Sequence, residues 1–331
     1  MLAGWYERNG AAADVIQVGQ MAPPEAGPGE VRVRLVASGV NPSDVKRRAG
    51  ARGQRIAYPR IVPHSDGAGV IDQVGAGVPP ARLGERVWVY NGQWQRPSGT
   101  AAEHIALPAS QAIRLPGHTT FVEGACLGIP AMTAHRCVFA DGAVEGKTVL
   151  VTGGAGAVGH YAVQLAHWGG ATVIATVSSD GKAAHARAAG AQHVINYRTE
   201  DVADRVKECT GGRGVARIVD VDFGANLAAS QAVLQESGTI ATYASMGVTE
   251  PALPFYPMML RNTTIRLVFV YEMPKAAVDQ ACADITRWLE GGRATHLLAA
   301  RFPLARLAAA HEAVESGRQV GNVVLDIEGG R

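Results

Sequence analysis

The sequence predicts an α/β protein that combines a β-rich part with a parallel sheet covered by helices. Two observations predict this class. About the first 120 residues contain short strands separated by glycine and proline turns, whereas from about Lys147 continuous apolar strands alternate with helical segments. A third observation gives the domain order, since the segment after the alternating part is too short for a domain and is expected to pack on the β-rich part. The parallel sheet is therefore an insertion.

The β-rich domain is predicted from runs such as Glu30–Ala37, in which apolar and charged residues alternate as in a half-buried strand. Gly67–Val74 and Glu85–Tyr90 are further short apolar runs. Strands of this length and spacing are typical of a barrel-like or rolled sheet. We expect this domain to comprise residues 1–122 and 271–331.

The inserted domain, residues 123–270, is predicted from apolar runs at the spacing of strand–helix–strand units. Its predicted strands are Thr148–Thr152, Thr172–Val177, His193–Asn196, Arg217–Asp222, Thr239–Tyr243 and Thr264–Val270. Predicted helices include Val158–Trp168 and Lys182–Ala189. Continuous apolar strands of this kind form a doubly wound parallel sheet that is buried on both faces. Beyond it we expect helices at Ala276–Glu290 and Leu304–Ser316 and strands near Leu297–Phe302 and Val323–Asp326.

Composition narrows the classes of function. The 331 residues are 47% hydrophobic with a formal charge of +2, which is typical of folded domains and excludes a mainly disordered chain. No apolar run reaches the ~18 residues of a membrane span, so no membrane partner is expected. The basic clusters Lys46–Arg48 and Arg52/Arg55 are interpreted as a solvated face, and nucleic acid is not an expected partner. Four cysteines without a C-x-x-C pair, and a first segment without a secretory pattern, predict a cytoplasmic protein with reduced thiols.

A glycine loop follows the first strand of the inserted domain. Gly154, Gly156 and Gly159 fit G-x-G-x-x-G, and the loop opens a helix whose first residues are Ala157 and Val158. Glycines at these positions permit a tight turn, close approach to a pyrophosphate and close helix–strand packing, with the phosphate at the helix N-terminus. The strand before it and the helix after it provide the context for dinucleotide binding. A purely structural turn is the alternative.

The end of the next strand indicates which nucleotide is bound. An NAD site usually has an acidic residue there, but this chain has Ser178 and Ser179, then Lys182 one turn later. A hydroxyl and an ammonium group bind a 2′-phosphate that a carboxylate would repel. The pattern therefore favours NADPH, with two alternatives: Asp180 faces the ribose, or Ser179 or Asp180 is only a helix cap.

A set of motifs spread over essentially the whole chain points to one family. The motifs are Val40–Asp44, Pro63–Gly69, Gly128–Ala134, the glycine loop, Val194–Tyr197 and Asp220–Gly224. In these motifs the chain resembles the zeta-crystallin-like quinone oxidoreductases, a zinc-free branch of the medium-chain dehydrogenase/reductase superfamily. The resemblance implies a GroES-like catalytic domain interrupted by a Rossmann domain, with the active site in the cleft between them.

The resemblance also implies roles for single residues. Asn41 and Thr133 would line the nicotinamide side, and Ser178, Lys182 and Tyr197 would hold the 2′-phosphate. Arg318 lies near a C-terminal arginine that holds the 2′-phosphate in similar proteins, and the loop near Val270 would approach the carboxamide through its backbone. We also assign Ser179, Phe223 and Phe269 to the cofactor. The residues alone also allow structural roles. Asn41, which precedes Pro42, could start a turn. Thr133 could be an ordinary helix residue, and Tyr197 could pack in the core.

Zinc is not expected. Zinc-dependent relatives in this superfamily use an early cysteine ligand, but no cysteine precedes Cys126, and Ser38 and Asn41 occupy that region. His64 stands where the family's zinc-binding histidine stands. A single histidine in a bend is, however, more often a hydrogen-bonded structural residue than a metal ligand. We therefore predict no metal site. Without a Lewis acid, quinones and activated enones are the acceptors expected, because they take hydride readily into a conjugated system.

The catalytic assignments beyond Asn41 and Thr133 stay open at this point. Lys46, Tyr58, Tyr90 or solvent would supply the proton. Trp94, on a glycine-flanked loop, would either roof the acceptor or pack on the barrel. The main hypothesis is an NADPH-dependent quinone reductase, with an enone reductase as the alternative enzyme. A third hypothesis is an NADPH-binding or RNA-binding protein with little turnover. We also expect a homodimer through Thr264–Val270, which would otherwise be an exposed apolar edge.

Overall fold

The computed structural model describes residues 1–53 and 55–327. The chain divides into two compact units. The first unit comprises Met1–Ile129, Leu289–Gly292 and His296–Arg331, and the second comprises Pro130–Trp288 and Arg293–Thr295. This division differs from the predicted boundaries mainly in the segment 271–288, which lies in the second unit.

The second unit is built on a six-stranded sheet in which every neighbouring pair is parallel. From edge to edge its strands are His193–Asn196, Thr172–Val177, Thr148–Val151, Val215–Asp220, Leu234–Thr242 and Thr264–Leu267. The chain therefore starts in the middle of the sheet, runs to one edge, and then crosses back to build the other half. This order is the predicted doubly wound topology, and its reversal point lies where the glycine loop follows the central strand.

Helices accompany these strands between residues 128 and 290. They are Gly128–Phe139, Ala157–Trp168, Asp180–Ala188, Val202–Thr210, Phe223–Val233, Phe255–Met259 and Lys275–Glu290. The core between sheet and helices contains branched side chains from five strands, among them Leu150, Ile174, Ile195, Ile218 and Ile240. Strands buried on both faces need such continuous apolar runs, which is why the sequence predicted them well.

The first unit contains a seven-stranded sheet and a two-stranded hairpin. The sheet strands are Leu298–Pro303, Asn322–Asp326, Glu30–Val40, Asp66–Val74, Arg86–Val89, Ala112–Arg114 and His104–Pro108. The long strand Glu30–Val40 pairs antiparallel with three others, because its first half meets His104–Pro108 and its last residues meet Asn322–Asp326. One strand shared among three partners rolls the sheet, as predicted.

The remaining elements of the first unit are short. The hairpin strands are Leu2–Trp5 and Gln17–Gln20, and the helices are Ala12–Val15, Pro42–Ala49, Phe121–Gly124 and Leu307–Glu315. The sequence did not predict the hairpin, since its four-residue strands are partly exposed and show no clear alternation. In the described part of the chain, no helix combines the length and the apolar character that crossing a membrane requires.

Candidate active site

The glycine loop of the second unit is packed so closely that side chains are excluded at two of its glycines. A Cβ on Gly159 would lie 2.1 Å from the carbonyl oxygen of Gly153, and a Cβ on Gly154 would lie 2.8 Å from the Cβ of Ala175. Gly153 itself has φ +67°. Gly156 precedes the helix Ala157–Trp168, whose first-turn amides have no acceptor within the helix. The loop thus presents a helix N-terminus at the carboxyl end of the central strand, as an anion site requires.

A cavity of about 440 Å³ lies beside this loop. Its lining residues come from the loop, the neighbouring strands and their ends, and two helices: Leu150, Thr152, Gly153, Thr176, Tyr197, Val202, Val221, Asp222, Ala225, Asn226, Ala229 and Ser230. Ligands of doubly wound sheets bind at this place, outside the carboxyl ends of the strands. Tyr197, whose side chain is half exposed, lies in this lining, so the structure does not bury it in the core.

Buried Asp220 organises the wall of the cavity. Its Oδ1 accepts hydrogen bonds from Thr152 Oγ1 at 2.9 Å, from Asn226 Nδ2 at 2.7 Å and from the backbone N–H of Asp222 at 3.1 Å. Thr152 follows the central strand and Asn226 lies on the helix Phe223–Val233. One carboxylate therefore ties together a strand end, a loop and a helix around the cavity.

Ser178 and Lys182 meet at the end of the strand Thr172–Val177. Lys182 Nζ donates to Ser178 Oγ at 2.9 Å. Ser179 caps the helix Asp180–Ala188, because its Oγ accepts a hydrogen bond from the backbone N–H of Lys182 at 3.4 Å. Asp180 lies exposed in the first turn of that helix. The structure thus brings together the hydroxyl and ammonium groups that the sequence assigned to a 2′-phosphate.

In the first unit, Asn41 lies between two buried carboxyl groups. Its Nδ2 donates to Asp66 Oδ2 at 2.7 Å, and its backbone N–H donates to Asp44 Oδ2 at 2.8 Å. Asp66 also accepts from the backbone N–H of Ile129 at 2.9 Å. Asn41 is therefore held through its side chain by Asp66 and through its backbone by Asp44, and it is the N-cap residue of the helix Pro42–Ala49.

Burial dominates the titration of these two carboxyl groups. It raises the pKa of Asp44 from its ordinary 3.8 to about 6, and it raises the pKa of Asp66 well above the ordinary value. The hydrogen bonds from Asn41 oppose both pKa shifts without cancelling them. The sequence did not single out either carboxyl group, because their burial depends on contacts with distant parts of the chain.

His64, the histidine at the place of a zinc ligand, is fully buried in a chain of hydrogen bonds. Its Nδ1 lies 2.9 Å from Ser38 Oγ, and its Nε2 lies 2.9 Å from Nε2 of His311. Ser38 in turn contacts Thr100 Oγ1 at 2.7 Å. Both ring nitrogens of His64 are thus engaged, and burial lowers its pKa well below the ordinary value. Among the described residues, no group of three or more metal-binding side chains is present.

Trp94 and Tyr58 line a second cavity, of about 240 Å³, within the first unit. Tyr58 donates its hydroxyl to the carbonyl oxygen of Gln95 at 2.7 Å. The Arg47 guanidinium lies over the Trp94 ring, 5.2 Å from its centroid. Lys46 is exposed on the same helix and is not among the lining residues.

The basic cluster around Arg47 is not the solvated face that the sequence indicated. Arg48 is fully buried and pairs with Glu315, and Arg47 is half-buried at the cavity. Charged side chains at successive helical positions point in different directions, so a short basic run does not predict a single exposed face.

The other predicted residues are spread over both units. Thr133 is buried on the helix Gly128–Phe139, and Phe223 is buried in the core of the second unit. Phe269 is 55% exposed, whereas its neighbour Val270 is buried in a turn of 3₁₀ helix. Arg318 is exposed in the first unit. Their roles toward a cofactor stay predictions.

Two segments of the chain match known protein families, and most of the chain matches known oxidoreductases. Residues 27–117 match the alcohol dehydrogenase GroES-like domain, and residues 157–287 match the family described as zinc-binding dehydrogenase. The 2-haloacrylate reductase of Burkholderia sp is 33% identical over 307 residues, which cover 90% of this chain and 91% of that protein. The quinone oxidoreductase of Rattus norvegicus is 30% identical over 298 residues, which cover 89% of this chain and 88% of that protein.

Solved structures share the whole fold. A structure described as an NAD-dependent alcohol dehydrogenase has a TM-score of 0.89 at 29% identity, covering 99% of this chain and 100% of that one. The Escherichia coli quinone oxidoreductase, solved in complex with NADPH, has a TM-score of 0.84 at 25% identity with the same coverage. Domain matches, relatives and fold agree, and the chain belongs to the quinone oxidoreductases of the medium-chain dehydrogenase/reductase superfamily.

Proposed function

We propose that this chain is an NADPH-dependent oxidoreductase that transfers hydride to quinones without a metal ion. The observation that carries the proposal is the Ser178–Lys182 pair, 2.9 Å apart at the strand end where an NAD-specific site has a carboxylate. A lysine and a serine hydroxyl favour a 2′-phosphate, which distinguishes NADPH from NADH.

The second unit has the remaining groups that NADPH needs. The N-terminus of the helix Ala157–Trp168, including the amides of Ala157 and Val158, would hold the pyrophosphate. Tyr197 and the adjoining cavity would take the adenosine. Bound NADPH supplies hydride from C4 of the nicotinamide, and Thr133, Phe269 and Val270 are our candidates for its side of the site.

The first unit would bind the acceptor. Trp94 and Tyr58 give its cavity aromatic walls, which suit a flat conjugated ring. Asn41 is held rigidly by Asp44 and Asp66, as a group that positions reactants must be. Tyr58 is our first candidate for the proton donor, with Lys46 and solvent as the alternatives. The proposal assigns no metal, because His64 already uses both ring nitrogens within the protein.

A second candidate reaction is the reduction of α,β-unsaturated carbonyl compounds. The 33% identity to 2-haloacrylate reductase, which exceeds the 30% identity to the rat quinone oxidoreductase, favours it. Quinones and enones accept hydride in the same way, so the cofactor site serves either reaction.

These functions are tested by monitoring the oxidation of NADPH through its absorbance. An ortho-quinone and a matched enone serve as the two acceptors. Turnover with the quinone supports the main proposal, whereas turnover with the enone alone replaces it by the second reaction. Tight NADPH binding without turnover of either acceptor would contradict both and favour a binding protein.

We also propose a homodimer formed through the edge strand Thr264–Leu267 of the second unit. Leu267, the last residue of this strand, is 76% exposed, and so is Leu260, which follows the helix Phe255–Met259. An apolar sheet edge of this kind is normally covered, and a second copy pairing across a two-fold axis covers it symmetrically.

A further inference from the structure

The helix Phe223–Val233 turns one face toward the cavity beside the glycine loop. Four of its residues line that cavity, in two pairs spaced four positions apart: Ala225 with Ala229, and Asn226 with Ser230. Residues at this spacing lie one turn apart on the same side of a helix, with Cβ atoms roughly 5–6 Å apart. The small alanines leave room in the cavity, while Asn226 and Ser230 bring an amide and a hydroxyl group to its wall.

Other polar side chains of the lining already have partners within the protein. Thr152 Oγ1 donates to Asp220, and Thr176 Oγ1 accepts from a backbone N–H of the glycine loop at 3.2 Å. The carboxylate of Asp222 accepts from two backbone N–H groups of the loop after the next strand, both at 2.9 Å. Tyr197 is the candidate for the 2′-phosphate. The unused hydrogen-bonding groups of the described lining therefore lie mainly on the helix face.

Asp220 fixes the orientation of the Asn226 amide. Nδ2 of Asn226 donates to Asp220 Oδ1 at 2.7 Å, and the same oxygen accepts from Thr152 Oγ1 and from the backbone N–H of Asp222. An oxygen that accepts three hydrogen bonds would repel the amide oxygen of a flipped asparagine. Nδ2 therefore stays toward Asp220. Among the described contacts, Oδ1 and the second N–H of the amide remain for a ligand.

Ser230 adds a second polar group without a partner in the described part of the chain. The residue is only 2% exposed, and its hydroxyl forms no hydrogen bond with the described residues. A buried hydroxyl in a cavity wall needs a partner from a ligand or from solvent. The helix face therefore offers one acceptor, Oδ1 of Asn226, with an N–H and an O–H donor beside it.

We propose that Asn226 and Ser230 read the base of the dinucleotide, so that the site selects adenine by its 6-amino group. This inference rests on the proposed function, in which the cavity takes the adenosine, and adds the base specificity of the cofactor. The 6-amino group of adenine would donate to Asn226 Oδ1, and the donors on the helix would meet the ring nitrogens beside it, as in other asparagine–adenine pairs. The volume of about 440 Å³ lies within the range of ~300–1,000 Å³ that small-molecule cavities have.

A base with a carbonyl oxygen at position 6 would be rejected. That oxygen would face Asn226 Oδ1, so that two acceptors would meet without a proton between them. The amide cannot relieve this mismatch by turning over, because Asp220 Oδ1 holds its Nδ2. Asp220 is thus the positioning residue for this selection.

The test compares NADPH with its deamino analogue, in which hypoxanthine replaces adenine. Fluorescence titration of the two reduced dinucleotides gives the ratio of their Kd values. We expect the wild type to bind NADPH about ten- to a hundredfold more tightly, since a mispaired base edge has an effect of that size. Asn226→Leu should bring the ratio close to one, and Ser230→Ala should lower it in part. Gln231→Leu removes an amide from the same helix outside this lining and is the matched control, with the wild-type ratio.

The wild-type ratio needs no variant, and thermal unfolding shows whether each variant is folded. Equal binding of the two dinucleotides by the wild type would overturn the inference and leave the NADPH-dependent function standing. If neither dinucleotide binds, the proposed function fails. Calorimetry with adenosine and inosine, which carry neither phosphate nor nicotinamide, then decides about the cavity. Tighter binding of adenosine that is lost in Asn226→Leu would support the inference, and equal or undetectable binding of both nucleosides would overturn it.

Discussion

At the scale of single residues, the proposed cofactor preference depends on Lys182. Replacing it by glutamate puts a carboxylate beside Ser178, where it would repel a 2′-phosphate and accept from a ribose hydroxyl. We expect Lys182→Glu to lower the NADPH-to-NADH ratio of kcat/KM by about tenfold or more. Lys207→Glu reverses an exposed charge on another helix of the same unit and is the control. An unchanged ratio in Lys182→Glu would remove Lys182 from the phosphate site.

Asp44 gives a prediction for the stability of the fold. Its pKa is about 6 in the folded protein and near 3.8 when exposed, so the folded state favours the protonated carboxyl. The stabilisation is therefore full below about pH 4 and is lost as the pH rises through 6. Between pH 4 and 7 the wild type should lose roughly 2 kcal/mol of unfolding free energy that Asp44→Asn does not lose. Urea unfolding at several pH values measures this difference, and parallel curves for the two proteins would contradict it.

How well the place of a residue could be predicted depended on how far apart in the sequence the residue and its contact partners are. Ser178 and Lys182 are four positions apart around a helix start, and that local spacing was enough to place them together. Asp66 and Arg48 were different, because each is buried by segments far away in the chain, such as Ile129 and Glu315. A sequence pattern does not show such contacts.

At the scale of elements, the glycine loop combines a strand end, a turn and a helix start. Gly159→Ala should destabilise the protein by about 1–3 kcal/mol, because its Cβ would lie 2.1 Å from a backbone carbonyl. It should also weaken NADPH binding, since the loop must move away from the helix. Gly117→Ala is the control, since its Cβ meets nothing within 4 Å. Thermal unfolding and NADPH titration of both variants provide the comparison, and normal behaviour of Gly159→Ala would contradict this role.

Elements with a strong period were predictable, and short polar ones were not. The strands of the parallel sheet appear close to the predicted places because both of their faces are buried. The last of them ends at Leu267 and not at Val270, since residues 270–272 form a 3₁₀ turn. The helix Pro42–Ala49 is short and carries three basic residues and few apolar ones, so its proline and its capping Asp44 were the available signals.

At the scale of the whole molecule, the exposed apolar edge of the second unit predicts the oligomeric state. Light scattering should give twice the chain mass of 34.6 kDa at micromolar concentration. Leu267→Glu should shift the protein toward the monomer, because it places a charge in the proposed interface. Leu83→Glu changes a leucine that is 57% exposed in the first unit, and this control should remain dimeric. A monomeric wild type would contradict the proposed interface.

The family could be derived from the sequence because its motifs lie in both units, from Val40–Asp44 to Asp220–Gly224. The cavity that we propose for the acceptor could not, since its walls include Tyr6, Arg47, Tyr58 and Trp94, which only the fold brings together. The domain boundaries stay a prediction: the segment 271–288 was assigned to the β-rich domain and lies in the second compact unit, and an amphipathic helix does not reveal which core it covers.

The most direct measurement is the coenzyme preference of the unmodified protein. With a fixed, saturating ortho-quinone, kcat/KM is determined for NADPH and for NADH in the same buffer. The Ser178–Lys182 site predicts quinone-dependent oxidation with NADPH preferred by about tenfold or more. Equal use of the two coenzymes, or a preference for NADH, would contradict the NADPH site on which the proposed function is built.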